Sequence, residues 1–269
     1  MSEKIVIKIG GDLLKDNINQ IISDLSIIYN ENNKILLCHA GADIVTDIAE
    51  KMGKPQIFTY SKNGYKARYM DEETRDIYLM VVAGLSNKKI VKEMIVNKLP
   101  AVGISGIDGG LLIADRFKKA MVSINGKKKL KENFTGKPSK LDVKLIETLW
   151  DNNYIPVLAS VALSEDDEIV GSDSDRISNA VAVAVKADKL ILLTDVDGVL
   201  DRNKKLINHI DNQSAESILE GVTGGMKTKV LMALKSASED IKQVIIASGL
   251  RENPISKALD NENCTIITD

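Results

Sequence analysis

Short, uninterrupted apolar runs recur along this chain between longer amphipathic stretches, a rhythm that few architectures satisfy. The runs Lys4–Ile9, Ile35–Cys38, Ala101–Ile104, Ile155–Leu158, Lys189–Leu193 and Gln243–Ala247 have the length of strands and lack the alternation of a strand with one wet face. Strands of that kind are buried on both sides, so they predict a sheet with helices on each face, built from βαβ units. Between the first two runs, Ile18, Ile21, Ile22, Leu25 and Ile28 fall on one helical face, which predicts a helix laid against that sheet. The middle of the chain breaks the rhythm. Leu111–Ile113, Ala120–Ile124 and Lys128–Leu130 read as short strands, the last two joined by a turn at Asn125–Gly126, which predicts a β-hairpin excursion. The strand that contains Pro156, followed by the acidic loop Ser164–Glu168, predicts a hinge between an N-terminal lobe of about residues 1–165 and a C-terminal lobe of about 166–269.

A chain of 269 residues, 44% hydrophobic, can bury a sizeable core, which excludes a disordered or fibrous protein. Its net charge of −2 gives no global attraction to nucleic acid or to an anionic membrane. No uncharged run approaches the roughly 20 apolar residues of a membrane span, and the segment from Met1 to Ile9 carries no leader pattern, so the expected location is the cytoplasm. Cys38 and Cys264 each sit in an apolar run and read as buried, inert thiols. His39 and His209 are the only histidines, too few for a histidine-rich metal site, and no set of metal ligands is expected.

Several predicted strands end in small or glycine-rich segments, the place where α/β proteins hold ligands. Lys8-Ile9-Gly10-Gly11-Asp12 closes the first strand; glycines there let backbone N–H groups approach an anion, and the lysine adds a point charge. His39-Ala40-Gly41-Ala42-Asp43 follows the second strand and leads into a predicted helix Ile44–Met52, whose N-terminus can face a phosphate. Gly103-Ile104-Ser105-Gly106-Ile107-Asp108-Gly109-Gly110 is a third such loop. Gly171-Ser172-Asp173-Ser174-Asp175 opens a predicted helix Arg176–Lys186, and Thr194-Asp195-Val196-Asp197-Gly198-Val199 follows a buried strand. Thr223-Gly224-Gly225-Met226-Lys227-Thr228-Lys229 nearly imitates a phosphate-binding P-loop, but Met226 parts the glycine from the lysine. Each segment also has a plainer reading as a tight turn, a helix cap or close packing. No G-x-G-x-x-G follows a predicted strand, so a dinucleotide site is not expected.

Taken in order, KIGGD, HAGAD, YKARYMDEET, GISGIDGG, GSDSD, LLTDVDGVL and GGMKTK resemble the amino acid kinase family, from Lys4 to the C-terminus. Within it the resemblance is to acetylglutamate kinase and to related kinases of aminoadipate or glutamate held by an amino-group carrier protein. It implies one domain over residues 1–269. The implied fold is a three-layer αβα sandwich around a mainly parallel sheet, with the acceptor in the N-terminal lobe and ATP in the C-terminal lobe. The implied activity is ATP-dependent phosphorylation of a side-chain carboxylate, with Mg2+ bridging the ATP phosphates.

By the same resemblance, Lys8 and Lys229 flank the transferring phosphoryl group and Asp175 holds both lysines in place. Gly10, Gly11 and Gly41 cradle the γ-phosphate, while Thr194, Asp195, Gly198, Gly225 and Met226 match the surroundings of adenine and ribose. Arg68 matches the arginine that clamps the acceptor's α-carboxylate, a bidentate task suited to guanidinium. Gly41, Ala42, Gly171, Ser172 and Asp173 complete the implied acceptor site. A side-chain carboxylate is ionised at neutral pH and is itself the nucleophile, so no general base is needed. The chain departs from the family at two places. Ala40 and Ala42 stand within its glycine triplet, and Gly171 replaces a usual asparagine, whose contact is then missing or supplied by Ser172 or Asp173.

The expected acceptor is carrier-bound aminoadipate, glutamate or both, in lysine or arginine biosynthesis. Arg68-Tyr69 and the run from Gly106 to Leu112 resemble the carrier-linked kinases. Arg116, Lys118, Lys119, Lys127, Lys128, Lys129 and Lys131 crowd the predicted hairpin, where a small acidic carrier would dock, and a solvated basic hairpin explains them equally well. Aminoadipate and glutamate differ by one methylene, worth roughly 1–3 kcal/mol of discrimination. Two alternatives stay open: an acetylglutamate kinase acting on free N-acetylglutamate, and a non-catalytic nucleotide-binding sensor, against which Lys8, Asp175 and Lys229 speak. No N-terminal helical extension of the kind that builds hexamers precedes the first strand, so a homodimer is expected.

Overall fold

All six apolar runs lie side by side in one sheet of the computed structural model, which describes residues 3–29, 33–60, 66–124, 126–239 and 241–269. In chain order the first strands are β1 (Lys4–Ile9), β2 (Lys34–His39), β3 (Phe58–Tyr60), β4 (Lys66–Arg68), β5 (Ala101–Ser105), β6 (Leu112–Arg116), β7 (Lys119–Ile124) and β8 (Lys127–Glu132). They are followed by β9 (Thr135–Leu141), β10 (Ile155–Ala159), β11 (Val161–Ser164), β12 (Ile169–Ser172), β13 (Lys189–Thr194), β14 (His209–Ile210), β15 (Gln243–Ser248) and β16 (Cys264–Ile267). The main sheet is ordered β14-β16-β15-β13-β1-β2-β10-β5, and only β15 and β16 pair antiparallel.

The helices are α1 (Leu13–Asp16), α2 (Ile18–Tyr29), α3 (Ala42–Lys51), α4 (Glu72–Leu79), α5 (Asn87–Val96), α6 (Lys144–Asp151), α7 (Ser174–Ala184), α8 (Ala215–Leu219), α9 (Gly224–Ala237) and α10 (Pro254–Leu259). The strand period of two divides each run between two cores. Ile5, Ile7 and Ile9 of β1 face α2, α5 and α10, while Val6 faces α6, α7 and α9. That arrangement is the three-layer sandwich. On α2, Ile21, Ile22, Leu25 and Ile28 are buried as the spacing predicts, with Ile18 at the edge of the same core. Cys38 and Cys264 are buried, and burial pushes both thiols up. Among the described residues no helix is long and apolar enough to cross a membrane.

The middle segment holds more structure than its sequence suggests. β7 and β8 form the predicted hairpin, with Ile124 opposite Lys127; Asn125 lies outside the described residues, and Gly126 takes a left-handed φ of 74°. β6, β9, β11 and β12 close into a small barrel, and β3 and β4 form a second hairpin; neither was expected. Residues 61–65 between β3 and β4, including Tyr65 of the quoted motif, lie outside the described residues. Pro156 sits inside the sheet, where its missing N–H is tolerated because pairing of β10 with β2 begins only at Val157.

One buried contact ties the two ends of the chain together. Asn253, the residue before α10, is left-handed and offers no side-chain cap. Asp24 of α2, 1% exposed, supplies it instead: Oδ2 accepts from the N–H groups of Ile255 (2.5 Å) and Ser256 (2.9 Å), and Oδ1 accepts from the Ser256 hydroxyl. Asp24→Ala leaves those donors buried without an acceptor and should cost about 3 kcal/mol of unfolding free energy. Urea denaturation checks this, and a loss under about 0.5 kcal/mol would mean the contact is incidental.

Candidate active site

Parallel neighbours end at the same edge of a sheet, so β15, β13, β1 and β2 bring their following loops together. The two glycine turns touch. A Cβ on Gly11 would lie 3.5 Å from the amide nitrogen of Ala42 and 3.8 Å from that of Gly41, and one on Gly10 would lie 3.4 Å from the carbonyl oxygen of Leu193. Side chains at these positions would fill the space over the strand ends. A π-helical turn, Met80–Ser86, joins α4 to α5 and seats the second loop: a Cβ on Gly41 would meet Val82 at 3.3 Å and Ser86 at 3.4 Å. His39, fully buried, fixes the same loop from beneath. Burial pushes its imidazole down to about 4, so the ring is neutral; Nδ1 donates to the Ala40 carbonyl (2.8 Å) and Nε2 accepts from the Asn87 amide (3.1 Å).

Beside these turns the structure brings together three ionic side chains that are far apart in sequence. Lys8 comes from β1, Asp175 from the first turn of α7 and Lys229 from α9. Asp175 Oδ1 is 2.8 Å from the Lys8 ammonium and Oδ2 is 2.5 Å from that of Lys229, while the lysines are only 6% and 7% exposed. Burial alone would raise the Asp175 carboxyl, but the two ammonium groups outweigh it and hold it far below the usual carboxylate range. Burial likewise opposes the charge of Lys8, yet Asp175 keeps its pKa raised. Lys229 is pushed down by burial and by the charge of Lys8. Asp173 caps α7, accepting from the N–H groups of Asp175 (2.9 Å) and Arg176 (3.1 Å), which fixes where the Asp175 side chain starts.

Asp12, on the turn after Gly11, forms a carboxyl–carboxyl pair with Asp43. That hydrogen bond first, then partial burial and the charges of Asp43 and Asp195, push Asp12 up to about 6, against the pull of Lys8. Asp195 in turn accepts from the Thr194 hydroxyl at 3.0 Å. A cavity of about 450 Å³ opens here, lined by Asp195, Asp197, Leu200, Ser248, Leu250 and Arg251 among others. Of the residues expected around a nucleotide, only Asp195 lines this cavity; Thr194, Gly198, Gly225 and Met226 do not. A Cβ on Gly198 would meet the Thr265 hydroxyl at 2.5 Å, so that glycine permits close packing on β16, and Met226 packs on the core. Ser248 ends β15 and Leu250 and Arg251 follow it, where no motif marks them.

A second cavity, about 390 Å³, lies between α3, the β3–β4 hairpin and the barrel. Arg68 enters it from β4 and stacks on Phe58 at 5.0 Å; its guanidinium donates to the Ala42 carbonyl (2.7 Å), the Thr46 hydroxyl (2.9 Å) and the Gln56 side-chain carbonyl. Three of its five N–H donors are thus used to aim it, which leaves two for an anion. Ala42, Gly171, Ser172 and Asp173 line the same cavity. At Gly171 any side chain is excluded, since a Cβ would lie 2.6 Å from the Met70 terminal methyl and 3.1 Å from the Tyr78 ring. Ser172 turns its hydroxyl to the Gly136 carbonyl (2.9 Å). Phe58, Phe117, Thr135 and Arg176 also line the cavity and went unnoticed in the sequence, because they come from the hairpin and barrel or, for Arg176, from a helix whose motif ended one residue earlier; Lys66, which also lines it, belongs to the quoted motif YKARYMDEET but was given no role there.

The sequence profile of the amino acid kinase family matches residues 3–248. The chain is 37% identical over 268 residues to the LysW-aminoadipate/LysW-glutamate kinase of Saccharolobus solfataricus, covering 98% of this chain and 99% of that one. The enzyme of the same name from Saccharolobus islandicus is 35% identical over 266 residues, with coverage of 98% and 99%. Among solved structures, N-acetylglutamate synthase from Neisseria gonorrhoeae, complexed with coenzyme A and N-acetyl-glutamate, is similar with a TM-score of 0.82 at 20% identity, over 99% of this chain and 59% of that one. Carbamate kinase from Giardia lamblia bound to AMP-PNP is similar with a TM-score of 0.72 at 16% identity, over 99% and 98%. The likeness to these two is one of fold.

The Asp12–Asp43 pair has a pH signature. Because the folded state keeps on Asp12 a proton that the unfolded chain has lost, this pair's contribution to stability is present below pH 3.8 and is lost as pH rises through about 6. By NMR the Asp12 carboxyl should titrate near pH 6, and Asp43→Asn should return it toward the ordinary range. A midpoint of about 4 in the unsubstituted protein would show that no pair forms.

Proposed function

Because this chain belongs to the amino acid kinase family, we propose that it transfers the γ-phosphoryl group of ATP to the side-chain carboxylate of an aminoadipate or glutamate borne by a small acidic carrier protein. The observation that carries this reading is the pair of buried ammonium groups held by one carboxylate at the meeting of two glycine turns, next to a cavity with a pre-aimed guanidinium. An acceptor carboxylate oxygen attacks the γ-phosphorus, the bond to the bridging oxygen of the β-phosphate breaks, and ADP leaves. No proton has to move, because the nucleophile is already ionised. The loose transition state gathers charge on equatorial and leaving oxygens, so positioned cations are what the reaction asks of a protein.

Lys8 and Lys229 are assigned to those oxygens, and Asp175 is the positioning residue that holds both. Gly10, Gly11 and Gly41 leave the backbone open to the phosphates, and Asp195 with its neighbours borders the nucleotide. Arg68 holds the acceptor's α-carboxylate. Among the described residues no three ligating side chains converge on one point, so Mg2+ would be held chiefly by the nucleotide phosphates, with a carboxylate such as Asp12 or Asp195 adding a hard oxygen donor, and the ion would neutralise phosphate charge there. Carrier-bound acceptors are favoured over free N-acetylglutamate because the relatives at 35% and 37% identity carry that name over nearly their whole length. The exposed lysines of β8 support the same reading, since the hairpin adjoins the acceptor cavity through β3 and Phe117. A homodimer is part of the proposal, supported by exposed Met80 and Leu85 on the π-helical turn and by β5 at the edge of the main sheet.

Trapping of acyl phosphate as hydroxamate, with ATP and either carrier-bound or acetylated acceptors, tests the activity; no product with any of them would overturn it. Lys8→Ala and Lys229→Ala should each lower kcat by about 100-fold or more in a protein that still folds. Near-normal turnover in either would remove that lysine from the mechanism. Reversing Lys127, Lys128 and Lys129 to Glu should slow association with the carrier and flatten its dependence on ionic strength, because exposed charges steer encounter and are screened over roughly 10 Å. Unchanged association rates at low salt would leave the hairpin without a docking role.

A further inference from the structure

Arg176 is the one arginine for which the described residues provide no partner. Arg68, Arg75, Arg116, Arg202 and Arg251 each donate to oxygens of the protein, whereas the Arg176 guanidinium makes no hydrogen bond or ion pair among the described residues. Its nitrogens are not among the buried polar atoms left without a partner, so the group is open to whatever enters from solvent. Arg176 stands in the first turn of α7, where the helix dipole disfavours a cation, and it is half-buried. A guanidinium kept there without a carboxylate is suited to an anion that arrives from outside.

The surroundings say which anion. Arg176 lines the acceptor cavity together with Gly171, Ser172 and Asp173, on the side formed by α7 and β9, while Arg68 reaches the same cavity from β4 and α3. Arg176 also lines a groove of about 490 Å³ that runs along β9, past Lys137 and Ser139, between α7 and α9. Thr135 and Gly136 of the same strand wall the cavity and Lys137 onward wall the groove, so Arg176 borders both spaces, on the other wall of the cavity from Arg68. A group at that point meets the part of the acceptor that leads out of the site, not the part that reacts.

We propose that Arg176 is a specificity residue that binds a second carboxylate of the acceptor, one carried by the group that acylates the acceptor's amine. The inference rests on the reading of the acceptor as an acylated amino acid at the end of an acidic chain, and it names what distinguishes such an acceptor from an acetylated one. An acetyl group offers a methyl where an acidic chain offers a further carboxylate within a few bonds. Arg68 and Arg176 then hold two different carboxylates, and the third, the side-chain one, is left for phosphorylation.

Two small acceptors isolate the contact: glutamate acylated on its amine with succinyl, and glutamate acylated with succinamoyl, which has the same shape and lacks the charge. In the unsubstituted protein the succinyl compound should bind about tenfold more tightly by calorimetry and show a correspondingly lower KM, with little difference in kcat. In Arg176→Gln that ratio should fall to about one, and Arg176→Lys should restore part of it. An equal loss for both acceptors, or a ratio unchanged by the substitution, overturns the assignment. Binding with the expected ratio but without acyl phosphate would reject the proposed transfer and keep the clamp. Acyl phosphate formed with no preference between the two acceptors would do the reverse.

Discussion

The carboxylate of Asp175, set between two nearly dry ammonium groups, is the interaction on which the rest of this site depends. Two like charges with little access to water repel strongly, and each has lost hydration that a single hydrogen bond does not replace. One aspartate offsets both because each of its oxygens meets a different lysine. The geometry requires β1 near the centre of the sheet and α7 and α9 packed together on one of its faces. The three-layer core thus does more than bury apolar surface. It fixes the separation of two cations, and the cluster keeps an excess positive charge beside the glycine turns and the Asp12–Asp43 pair.

Much of that core could be read from the chain, because strands buried on both faces announce themselves as continuous apolar runs. The six runs became six adjacent strands, and the isoleucine and leucine spacing on α2 marked its buried face. The barrel was hidden for the opposite reason. Strand β9, Thr135–Leu141, contains Gly136 and Pro138 and exposes Lys137, Ser139 and Lys140, so its sequence shows neither an apolar run nor a clean alternation. Lys8 and the glycine turns were visible as a strand end. That Asp175 and Lys229 join Lys8 followed only from the order of motifs, since spacing along a chain says nothing about which helix ends meet across a sheet. Arg176 and Arg251 carry no local signature, and what sets them apart is the presence or absence of partners in three dimensions.

The two ends of the site are built differently. The end at the glycine turns is made by strand termini of the main sheet, with His39 and the π-helical turn supporting the second glycine loop. The end at Arg68 is walled by the barrel and by β3 and β4, strands of three residues each, at the periphery. At Gly171 this chain fills the space of a side chain with Met70 and Tyr78 from neighbouring elements, while Tyr78 is anchored to Ser160 at 2.8 Å. On the proposed function, Arg68 and the α7 side of the cavity are then left to hold the acceptor.

On the proposed function, the paired ammonium groups serve a charge distribution that exists only during transfer. The affinity of AMP-PNP set against that of ADP and aluminium fluoride plus acceptor, in the unsubstituted protein and in Lys8→Ala, separates this role from ground-state binding. Affinity for the planar phosphoryl mimic should fall by about 100-fold while that for AMP-PNP changes by less than about threefold. An equal fall for both would mean that Lys8 binds nucleotide in its ground state and does not stabilise the transfer.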